Sequence, residues 1–427
     1  MPAARPITRA GDDAIGRAAS TPSAAASAPP APAGWCVRRP RHTVEVRVLI
    51  APDSFTGTLS AGQAARAIAE GWTRSAPGDQ LQLCPLSDGG PGFVDVLSAS
   101  VPARQELVTV SGPLGEPVPA QILLTDAEDG VPTAYVESAQ ACGLHLVSPD
   151  RRDPGRTTTV GVADLLTGAR AAGAVRIIVG LGGSGTNDGG AGLLAGLLRD
   201  AGADPPDRLV RGGEGLRGVE AAELSGLAGL REAWADVEIV LASDVDVALL
   251  GFHGASAGFA AQKGATPEQA QRLERALGDF AAAACDAARL PRSLAREAGA
   301  GAAGGLGFGL LLLGGGRVGG ASAVLAAVGF RARVEAADLV VTGEGTFDWQ
   351  SLRGKVVSAV AAVGLEVGVP VIVLAGQVLV GRREALSIGV ESAYPVAEDP
   401  QQVAAALADP AGTLAARAQR IARTWSR

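Results

Sequence analysis

The sequence predicts an α/β protein with parallel β-sheets, and three observations support this prediction. Short, nearly all-apolar runs rich in Val and Ile recur along the chain, and Ala- and Leu-rich segments with helical periodicity separate them. Such runs suit parallel strands that are buried on both faces. Polar, glycine-rich loops follow several runs, as expected where parallel strands end and ligands bind. With 427 residues, the chain has room for two or three domains of roughly 100–200 residues each.

The apolar runs place six strands along the chain, and capping patterns place two helix starts. A capping box at Ser60-Ala-Gly-Gln63 predicts a first helix, and Thr266-Pro-Glu-Gln269 predicts a second one that runs toward Ala288. A further apolar helix begins at Ala191, and a glycine-rich segment over 299–320 divides the chain. The predicted strands are 46–51, 81–84, 175–179, 237–241, 338–341 and 369–374.

Composition excludes several classes of protein. The chain carries 37 basic and 44 acidic residues, a formal net charge of −7, which argues against nucleic acid or an anionic membrane as a general partner. Its apolar stretches are well short of the ~20 residues that span a bilayer. The four cysteines have no paired spacing, which argues against a disulfide framework or a zinc cluster. We therefore expect a cytoplasmic protein. The sequence does not decide whether the chain forms a homo-oligomer.

The first 43 residues differ from the rest of the chain. They contain six Arg and two Asp, a local charge of +4 that leaves −11 for residues 44–427, and they are mostly Ala, Pro, Ser and Arg. A segment of this composition has little to bury, so we expect disorder. This segment is interpreted either as a transit peptide or as the product of a translation start site assigned too early. In the second case Val44 or Val46 is the true first residue.

Carboxylates follow the predicted strands at five places. Each of these loops combines glycine or a small hydroxyl residue with an acidic residue, and the loops are Asp53–Thr58, Ser87–Gly90, Gly182–Gly190, Ser243–Asp246 and Thr342–Gly345. A single Asp after a strand is more often a turn residue. Because the carboxyl ends of parallel strands meet at one edge of a sheet, five such loops predict a shared site.

A dinucleotide fingerprint is one alternative. Gly180-Leu-Gly-Gly-Ser-Gly185 matches G-x-G-x-x-G, and Asp200 lies near the spacing of a ribose contact. Polar residues including Asn187 and Asp188 nevertheless separate the motif from the helix at Ala191, whereas a fingerprint helix begins at once. We therefore favour another function for this loop.

Other residues suit a cation and phosphates. Asp244 and Asp246 are two residues apart in an extended segment, so both carboxylates can face one Mg²⁺, although a solvated loop pair is the alternative. Lys263 and Lys355 are the two lysines of the chain and stand beside glycines, which favours phosphate contacts over surface charge. None of the three histidines has the spacing of a metal ligand or a catalytic triad.

The ordered motifs together resemble glycerate kinase of the bacterial, glyoxylate-pathway type. The resemblance runs from about Val46 to about Gly376 and rests on the segments 51–61, 85–90, 137–139, 143–144, 152–154, 157–159, 182–192, 243–246, 262–265, 299–309 and 343–345, with Asp348, Gln350, Ser351, Gly354 and Lys355. It implies transfer of the γ-phosphate of ATP, with Mg²⁺, to a hydroxyl of D-glycerate or a related hydroxy acid. The resemblance favours phosphorylation of the 2-hydroxyl of D-glycerate over that of its 3-hydroxyl.

The resemblance also implies an architecture and a set of site residues. It implies two α/β domains with the active site in the cleft between them: a flavodoxin-like domain of residues 44–85 and 287–427, and an inserted domain of residues 86–286. The implied catalytic residues are Asp53, Asp188, Lys263 and Lys355, and Asp244 and Asp246 are the implied metal ligands. The implied substrate- and phosphate-binding residues are Ser54, Asp88, Gly89, Arg152, Gly183, Ser184, Asn187, Glu344, Asp348 and Ser351.

The sequence departs from this family at four motif positions. The family usually has Lys at Thr56, Glu at Pro91, Asn-Pro at Val247-Ala248 and Arg at Thr346. Two of these changes remove cations from glycine-flanked loops, where charge is neutralised during phosphoryl transfer. A second hypothesis therefore stays open: a catalytically impaired paralogue that binds nucleotide or a small hydroxy acid without efficient turnover.

Overall fold

The strands of this protein form two β-sheets in a computed structural model, which describes residues 45–55, 57–126 and 129–426. The predictions for residues 1–43 are not tested, because these residues lie outside the described part of the chain. The strands of the described part are β1 (Arg47–Ile50), β2 (Gln80–Leu83), β3 (Arg104–Ser111), β4 (Pro117–Asp126), β5 (Pro132–Glu137), β6 (Arg176–Gly180), β7 (Glu238–Ala242), β8 (Gly316–Val318), β9 (Leu339–Phe347), β10 (Val371–Val378) and β11 (Val390–Pro395).

Helices connect and cover these strands. The α-helices of the described part are α1 (Ala61–Ser75), α2 (Phe93–Ser100), α3 (Ala139–Cys142), α4 (Val160–Ala171), α5 (Ala191–Asp200), α6 (Leu227–Ala233), α7 (Ala255–Phe259), α8 (Pro267–Ala288), α9 (Ala302–Leu312), α10 (Gly320–Ala327), α11 (Phe330–Glu335), α12 (Val356–Val367), α13 (Arg382–Ser387), α14 (Pro400–Ala408) and α15 (Pro410–Trp425). Short 3₁₀ helices lie at Leu144–Leu146, Pro149–Arg151, Asp207–Val210, Gly213–Leu216, Ala221–Leu224, Ala261–Lys263 and Arg292–Arg296.

The first sheet is parallel throughout and is built from both ends of the chain. Its strand order is β11-β10-β9-β1-β2. When its strands are renumbered by their order along the chain, this is the flavodoxin-like order 2-1-3-4-5. The order reverses between β1 and β9, and ligands of open α/β sheets bind beyond the strand ends at such a point.

The second sheet is mixed, with the order β3-β4-β5-β6-β7-β8. Strands β5 to β8 run parallel to one another, whereas β3, β4 and β5 form an antiparallel meander. Strand β8 follows residue 286, the predicted end of the inserted domain, and nevertheless pairs with β7. The division of the chain into two domains stays a prediction.

Alternating side chains bury both faces of the first sheet. In β1, Val48 and Ile50 join a core cluster with α1 and α15, while Leu49 joins a second cluster with α2, α11 and α12. The second cluster also contains Leu123 and Tyr135 from the other sheet, so helices and both sheets share one apolar layer. Because successive side chains of a strand point to opposite faces, an apolar run fits a strand covered on both sides.

The predicted fold class is confirmed. The six predicted strands are present, but their ends differ by up to six residues, since β9 was predicted to end at residue 341 and ends at Phe347. The first capping box is complete, since Gln63 N donates to Ser60 Oγ and Ser60 N donates to Gln63 Oε1. At the second helix start, Gln269 N donates to Thr266 Oγ1. The side chain of Gln269 instead donates to Asp153 at 2.7 Å, so the second capping box is only half formed.

The strand prediction was incomplete. Strands β3, β4, β5, β8 and β11 were not among the predicted strands, because polar residues or proline keep their apolar residues from forming long continuous runs. The glycine-rich segment 299–320 contains α9 and β8 and the start of α10. Within α9, Ala303, Gly304 and Gly305 have left-handed backbone angles that bend the chain.

Cys84, Cys142 and Cys285 are buried free thiols, and Cys36 lies outside the described residues. Among the helices described here, none combines the length and the apolar character needed to cross a membrane.

Candidate active site

A cavity of about 1470 Å³ extends along the carboxyl ends of strands from both sheets. Loops that follow β1, β2, β6 and β7 line it, and these are four of the five loops in which the sequence places carboxylates. The fifth predicted loop, Thr342–Gly345, is part of strand β9, whose residues Glu344 and Gly345 line the cavity. The reversal of strand order between β1 and β9 lies at this edge of the first sheet. The expected shared site is therefore present as a cavity.

Asp53 and Glu344 stand at the centre of an acidic group in this cavity. Burial, and after it the negative charge of Asp88, raises the pKa of Asp53 to about 8. Burial also raises the pKa of Glu344 to about 7, with smaller contributions from Asp348 and Asp88 in the same direction. The Oε1 atom of Glu344 is buried without a hydrogen-bond partner. These carboxyl groups lack enough positive charge around them to stay ionised together.

Asp244 belongs to the same group from the side of the second sheet. Its carboxylate accepts a hydrogen bond from Ala321 N at 3.2 Å, and burial together with the charge of Asp88 raises its pKa to about 6. Asp246 is exposed and also lines the cavity. The predicted pair thus shares one cavity, although Asp244 is half-buried and partly satisfied by the backbone.

Lys263 approaches the cavity from within the protein. Only 2 % of its surface is exposed, and its Nζ donates to Ser184 Oγ at 2.9 Å and to Thr186 O at 2.6 Å. Burial lowers the pKa of Lys263 to about 8. Lys355 is half-buried immediately before α12, and its charge acts on both Asp53 and Glu344. Both lysines of the chain therefore border the cavity.

The donor set of the cavity suits a hard divalent cation that takes part of its coordination from a ligand. Carboxylate oxygens are the ligands that Mg²⁺ prefers, and the unpartnered Oε1 of Glu344 is a buried acceptor without a donor. Within the described residues, no three acidic, histidine or cysteine side chains converge to hold a metal by themselves. This fits Mg²⁺, which proteins usually bind with one or two carboxylates and substrate phosphates.

The cavity contains most of the residues expected from the sequence. Its lining includes Asp53, Ser54, Asp88, Gly183, Ser184, Asp244, Asp246, Lys263, Glu344, Asp348 and Lys355. Five other expected residues are absent from this lining: Gly89, Arg152, Asp188, Asn187 and Ser351.

Asp188 is fully buried in the loop before α5, where the backbone surrounds its carboxylate. Oδ2 accepts from Thr159 N at 2.8 Å, Thr159 Oγ1 at 2.9 Å and Gly192 N at 3.2 Å, and Oδ1 accepts from Gly190 N at 3.1 Å. These donors occupy the oxygen atoms that a catalytic role requires. These bonds show that Asp188 holds this loop, and a catalytic role for it stays a prediction that they do not favour.

The other four residues contact groups of the protein outside the lining of the cavity or at its border. Asn187 Nδ2 donates to Ser256 Oγ at 3.0 Å, and its Oδ1 is buried without a partner. Arg152 is half-buried, with its Nε 3.4 Å from Val147 O. Ser351 Oγ accepts from Asp348 N at 3.1 Å. Gly89 has a φ of +92°, and a Cβ there would lie 2.7 Å from Ala242 O, so close packing explains this glycine.

The dinucleotide interpretation fails on geometry. Strand β6 ends at Gly180 and α5 begins at Ala191, so the helix does not follow the glycine motif directly. Asp200 lies at the far end of α5 and accepts from Thr167 Oγ1 at 2.7 Å, outside the large cavity.

Comparison with known proteins identifies the family to which this chain belongs. The model of the glycerate kinase family matches residues 48–426, which is nearly all of the described chain. The chain belongs to the glycerate kinase family. It is 40 % identical over 358 residues to a glycerate kinase of Bacillus subtilis, an alignment that covers 82 % of this chain and 90 % of the relative.

Further relatives agree with this family. The chain is 38 % identical over 335 residues to a glycerate 2-kinase of Escherichia coli, with coverage of 78 % and 85 %. A crystal structure of a candidate glycerate kinase 2 from Salmonella typhimurium LT2 matches with a TM-score of 0.69 and 34 % identity over 89 % of this chain and 98 % of that one. The resemblance seen in the motifs is confirmed, and the chain is a kinase of this family.

Three of the four departures from the glycerate kinase pattern fall in the cavity wall. Pro91, Val247 and Thr346 line the cavity, and Pro91 and Thr346 are exposed there. Thr56 lies outside the described residues, but its neighbours Phe55 and Gly57 line the cavity. The departures at Pro91, Val247 and Thr346 therefore lie in the wall of the cavity.

Sequence reasoning missed several residues of the cavity. Trp349 and Arg353 line it, with the guanidinium carbon of Arg353 5.4 Å from the centroid of the Trp349 ring. Ala303 also lines it and has a φ of +51°, which is unfavourable for a residue other than glycine. A third group comes from α14, where Val403, Ala406 and Leu407 line the cavity. The spacing of these three residues was available from the sequence, but it is that of any amphipathic helix.

Proposed function

We propose that this protein transfers the γ-phosphate of ATP to D-glycerate, with the 2-hydroxyl as the acceptor. The observation that carries this proposal is the placement of two lysines and a group of carboxylates around one cavity at the reversal of strand order. Membership of the glycerate kinase family and the similarity to a glycerate 2-kinase of Escherichia coli support the choice of substrate and hydroxyl.

The charge of the cavity requires positive groups that can neutralise the phosphates of ATP. Six acidic and three basic side chains appear among its described lining residues, so the phosphates of ATP meet a net negative wall. Mg²⁺ would be held by Asp244 and Asp246, with Asp88 close by, and when bound it would neutralise phosphate charge. Lys263, Lys355 and the amides of the Gly182–Ser184 loop would bind the phosphate oxygens.

Asp53 is the residue we assign to the acceptor. A hydroxyl of glycerate that hydrogen-bonds to the Asp53 carboxylate is oriented for attack on the γ-phosphorus. Its oxygen forms the new P–O bond, the bond from the γ-phosphorus to the oxygen bridging to ADP breaks, and the hydroxyl proton passes to Asp53. A pKa near 8 suits this task, because a base titrating near the working pH accepts protons efficiently.

Two expected contacts are left out of this mechanism. Asp188 is saturated by backbone and threonine donors, and Arg152 lies outside the lining of the cavity. Positioning of the phosphates and the hydroxyl is the main requirement of phosphoryl transfer, since the protein has little covalent chemistry to do. Asp53, the two lysines and the carboxylates of the cavity would supply that positioning.

The second hypothesis is an impaired paralogue that binds nucleotide or a hydroxy acid without efficient turnover. The observation that favours it is the neutral, exposed Thr346 in the cavity wall, where the family usually has Arg. Both hypotheses allow ATP to bind, so the rate of phosphate transfer is what distinguishes them.

ATP consumption with D-glycerate and with a panel of small hydroxy acids tests the proposal, alongside calorimetric ATP binding. We expect turnover with D-glycerate, and NMR of the product should show phosphate on the 2-oxygen. Asp53→Asn serves as the inactive reference. ATP binding without phosphate transfer to any acid would establish the impaired paralogue, and phosphate on the 3-oxygen would refute the choice of hydroxyl.

A further inference from the structure

Helix α14 carries an apolar face that belongs to none of the core clusters of the described residues. Val403, Ala406 and Leu407 are spaced i, i+3 and i+4, so they share one side of the helix. All three line the cavity, no residue of α14 is buried, and Leu407 is 63 % exposed. A helix normally buries its apolar stripe against the core, so this stripe is available to a ligand.

The sheet topology gives the lateral spacing between the strand that leads into this face and the strands that position the reacting groups. Val396 and Ala397 follow β11 and lead into α14, with Val396 N bound to Ala375 O at 2.8 Å. Glu344 lies in β9, two strands from β11, and Asp53 follows β1, three strands away. At about 4.8 Å per strand, these separations are about 10 and 14 Å. An extended nucleoside triphosphate bridges such distances, whereas a three-carbon hydroxy acid does not.

Trp349 adds an aromatic surface to the same cavity. It follows β9, is 59 % exposed, and has the Arg353 guanidinium over its ring. Arg353 thereby stiffens an exposed indole. Flat aromatic ligands stack on such side chains.

We propose that the apolar end of the cavity, formed by the Val403, Ala406 and Leu407 face of α14 together with Trp349, is the subsite for the nucleobase of the phosphate donor. This inference rests on the proposed use of a nucleotide. Glycerate has a carboxylate and two hydroxyls and offers no apolar surface to this face, whereas a nucleobase does. The triphosphate of a base bound there extends along the strand ends toward Glu344 and Asp53.

Ligands with and without a base test the subsite. Leu407→Glu places a charge on the apolar face, and Trp349→Ala removes the aromatic ring. We expect each change to weaken binding of ADP by at least about tenfold, while binding of inorganic tripolyphosphate changes less than about twofold, because the base alone uses this surface. Calorimetry with Mg²⁺ and without an acceptor measures both ligands.

A matched control separates local from general effects. Leu365→Glu alters a leucine of similar exposure, 68 %, on α12 outside the cavity, and we expect no change in either affinity. Fluorescence adds a second readout: ADP should quench the wild type but not Trp349→Phe, and tripolyphosphate should quench neither.

Equal loss of ADP and tripolyphosphate binding, or unchanged ADP binding in both Leu407→Glu and Trp349→Ala, would overturn the subsite. Because binding is measured without an acceptor, a protein that fails to phosphorylate D-glycerate still gives a result here. Failure of the proposed reaction and failure of the subsite are therefore distinguishable.

Discussion

The Nζ atom of Lys263 lies 2.9 Å from the Oγ atom of Ser184, although the two residues are 79 positions apart in the chain. The contact joins the 3₁₀ helix at Ala261–Lys263 to the loop that follows β6. A second bond, from Nζ to Thr186 O at 2.6 Å, reinforces it. The lysine therefore both supplies charge at the cavity and holds the wall in which Ser184 lies.

Replacing this lysine with an uncharged side chain of similar length tests its charge. For Lys263→Met we expect kcat/KM for ATP to fall by about 10²–10³, the loss seen when one preorganised donor to a developing charge is removed. Steady-state kinetics with varied ATP measures this. Arg66→Met, on the exposed face of α1, is the control and should be neutral. A Lys263→Met enzyme with normal kcat/KM and normal thermal unfolding would exclude Lys263 from phosphate binding.

The raised pKa of Asp53 predicts a pH dependence. Its carboxyl group is protonated below about pH 8 in the free enzyme, and a base must be ionised, so kcat/KM for D-glycerate should fall about tenfold per pH unit below that value. The Asp53→Asn variant should lose a factor of about 10²–10⁴ in rate, and its rate should no longer fall as the pH drops below about 8. Rates between pH 6 and 9 measure both. A wild-type profile that is flat over this range would contradict the assignment.

Asp244 should affect the requirement for metal. Asp244→Ala removes a carboxylate from the proposed Mg²⁺ site, and we expect the half-saturating Mg²⁺ concentration to rise by about tenfold or more. Titration of activity with Mg²⁺ at saturating ATP measures the shift. Asp236→Ala, an exposed residue paired with Arg170, serves as the control. Unchanged turnover and unchanged Mg²⁺ dependence in Asp244→Ala would remove this residue from the site.

Thr346 distinguishes the efficient enzyme from the impaired paralogue. A catalytic arginine is worth roughly 10³–10⁵ in other phosphoryl-transfer enzymes, so Thr346→Arg should raise kcat by about tenfold or more if the missing cation limits turnover. That gain is the result expected of the impaired paralogue; under the proposed function we expect no such gain, although Thr346 is exposed in the cavity wall. Thr73→Arg, on the exposed side of α1, controls for added charge. No gain in Thr346→Arg would mean that the family arginine is dispensable here.

Glu137 predicts how stability varies with pH. Burial raises its pKa to about 7, and its Oε2 accepts from Gly92 N and Val94 N at the start of α2. Because the folded pKa lies above the unfolded value, this contribution to stability is complete below about pH 4.5 and is lost as the pH rises to about 7. A shift from 4.5 to about 7 corresponds to a loss on the order of 3 kcal/mol.

Glu137→Gln keeps an oxygen acceptor for the two amides but cannot ionise. Its free energy of unfolding, from urea titrations at pH 5 and pH 8, should therefore fall less than that of the wild type over this interval. Glu232→Gln, at an exposed position of α6, should behave like the wild type. Identical pH dependence in Glu137→Gln and the wild type would show that Glu137 has an ordinary pKa.

The sequence predicted the parts of this protein that depend on local pattern. Continuous apolar runs such as 369–374 correspond to buried parallel strands, and acidic glycine-rich loops such as Ser87–Gly90 lie at the cavity, because strand ends share an edge of the sheet. Pattern could not reveal which side of a loop faces the cavity. Asp188 and Asp244 look alike in the sequence, yet backbone donors saturate one carboxylate and leave the other in the cavity wall.

The remaining errors come from long-range packing. The edge strand β3 alternates apolar and polar residues because only one of its faces is covered, so it lacks the continuous run that marks a buried strand. The face of α14 looks like an ordinary amphipathic stripe, and only the fold shows that no core covers it. Sequence periodicity predicts that a stripe will be covered, but not what covers it.

The buried carboxylate of Asp188 lies at the amino-terminal ends of both α4 and α5, since its donors include Thr159, Gly190 and Gly192. Each helix start carries about half a positive charge from its aligned peptide dipoles, the feature with which dinucleotide-binding proteins attract a pyrophosphate. Here the chain supplies that anion itself. The dipoles of these two helices are thus already neutralised from inside, so the positive charge for a nucleotide must come from the lysines of the cavity and the amides of the Gly182–Ser184 loop rather than from the helix starts.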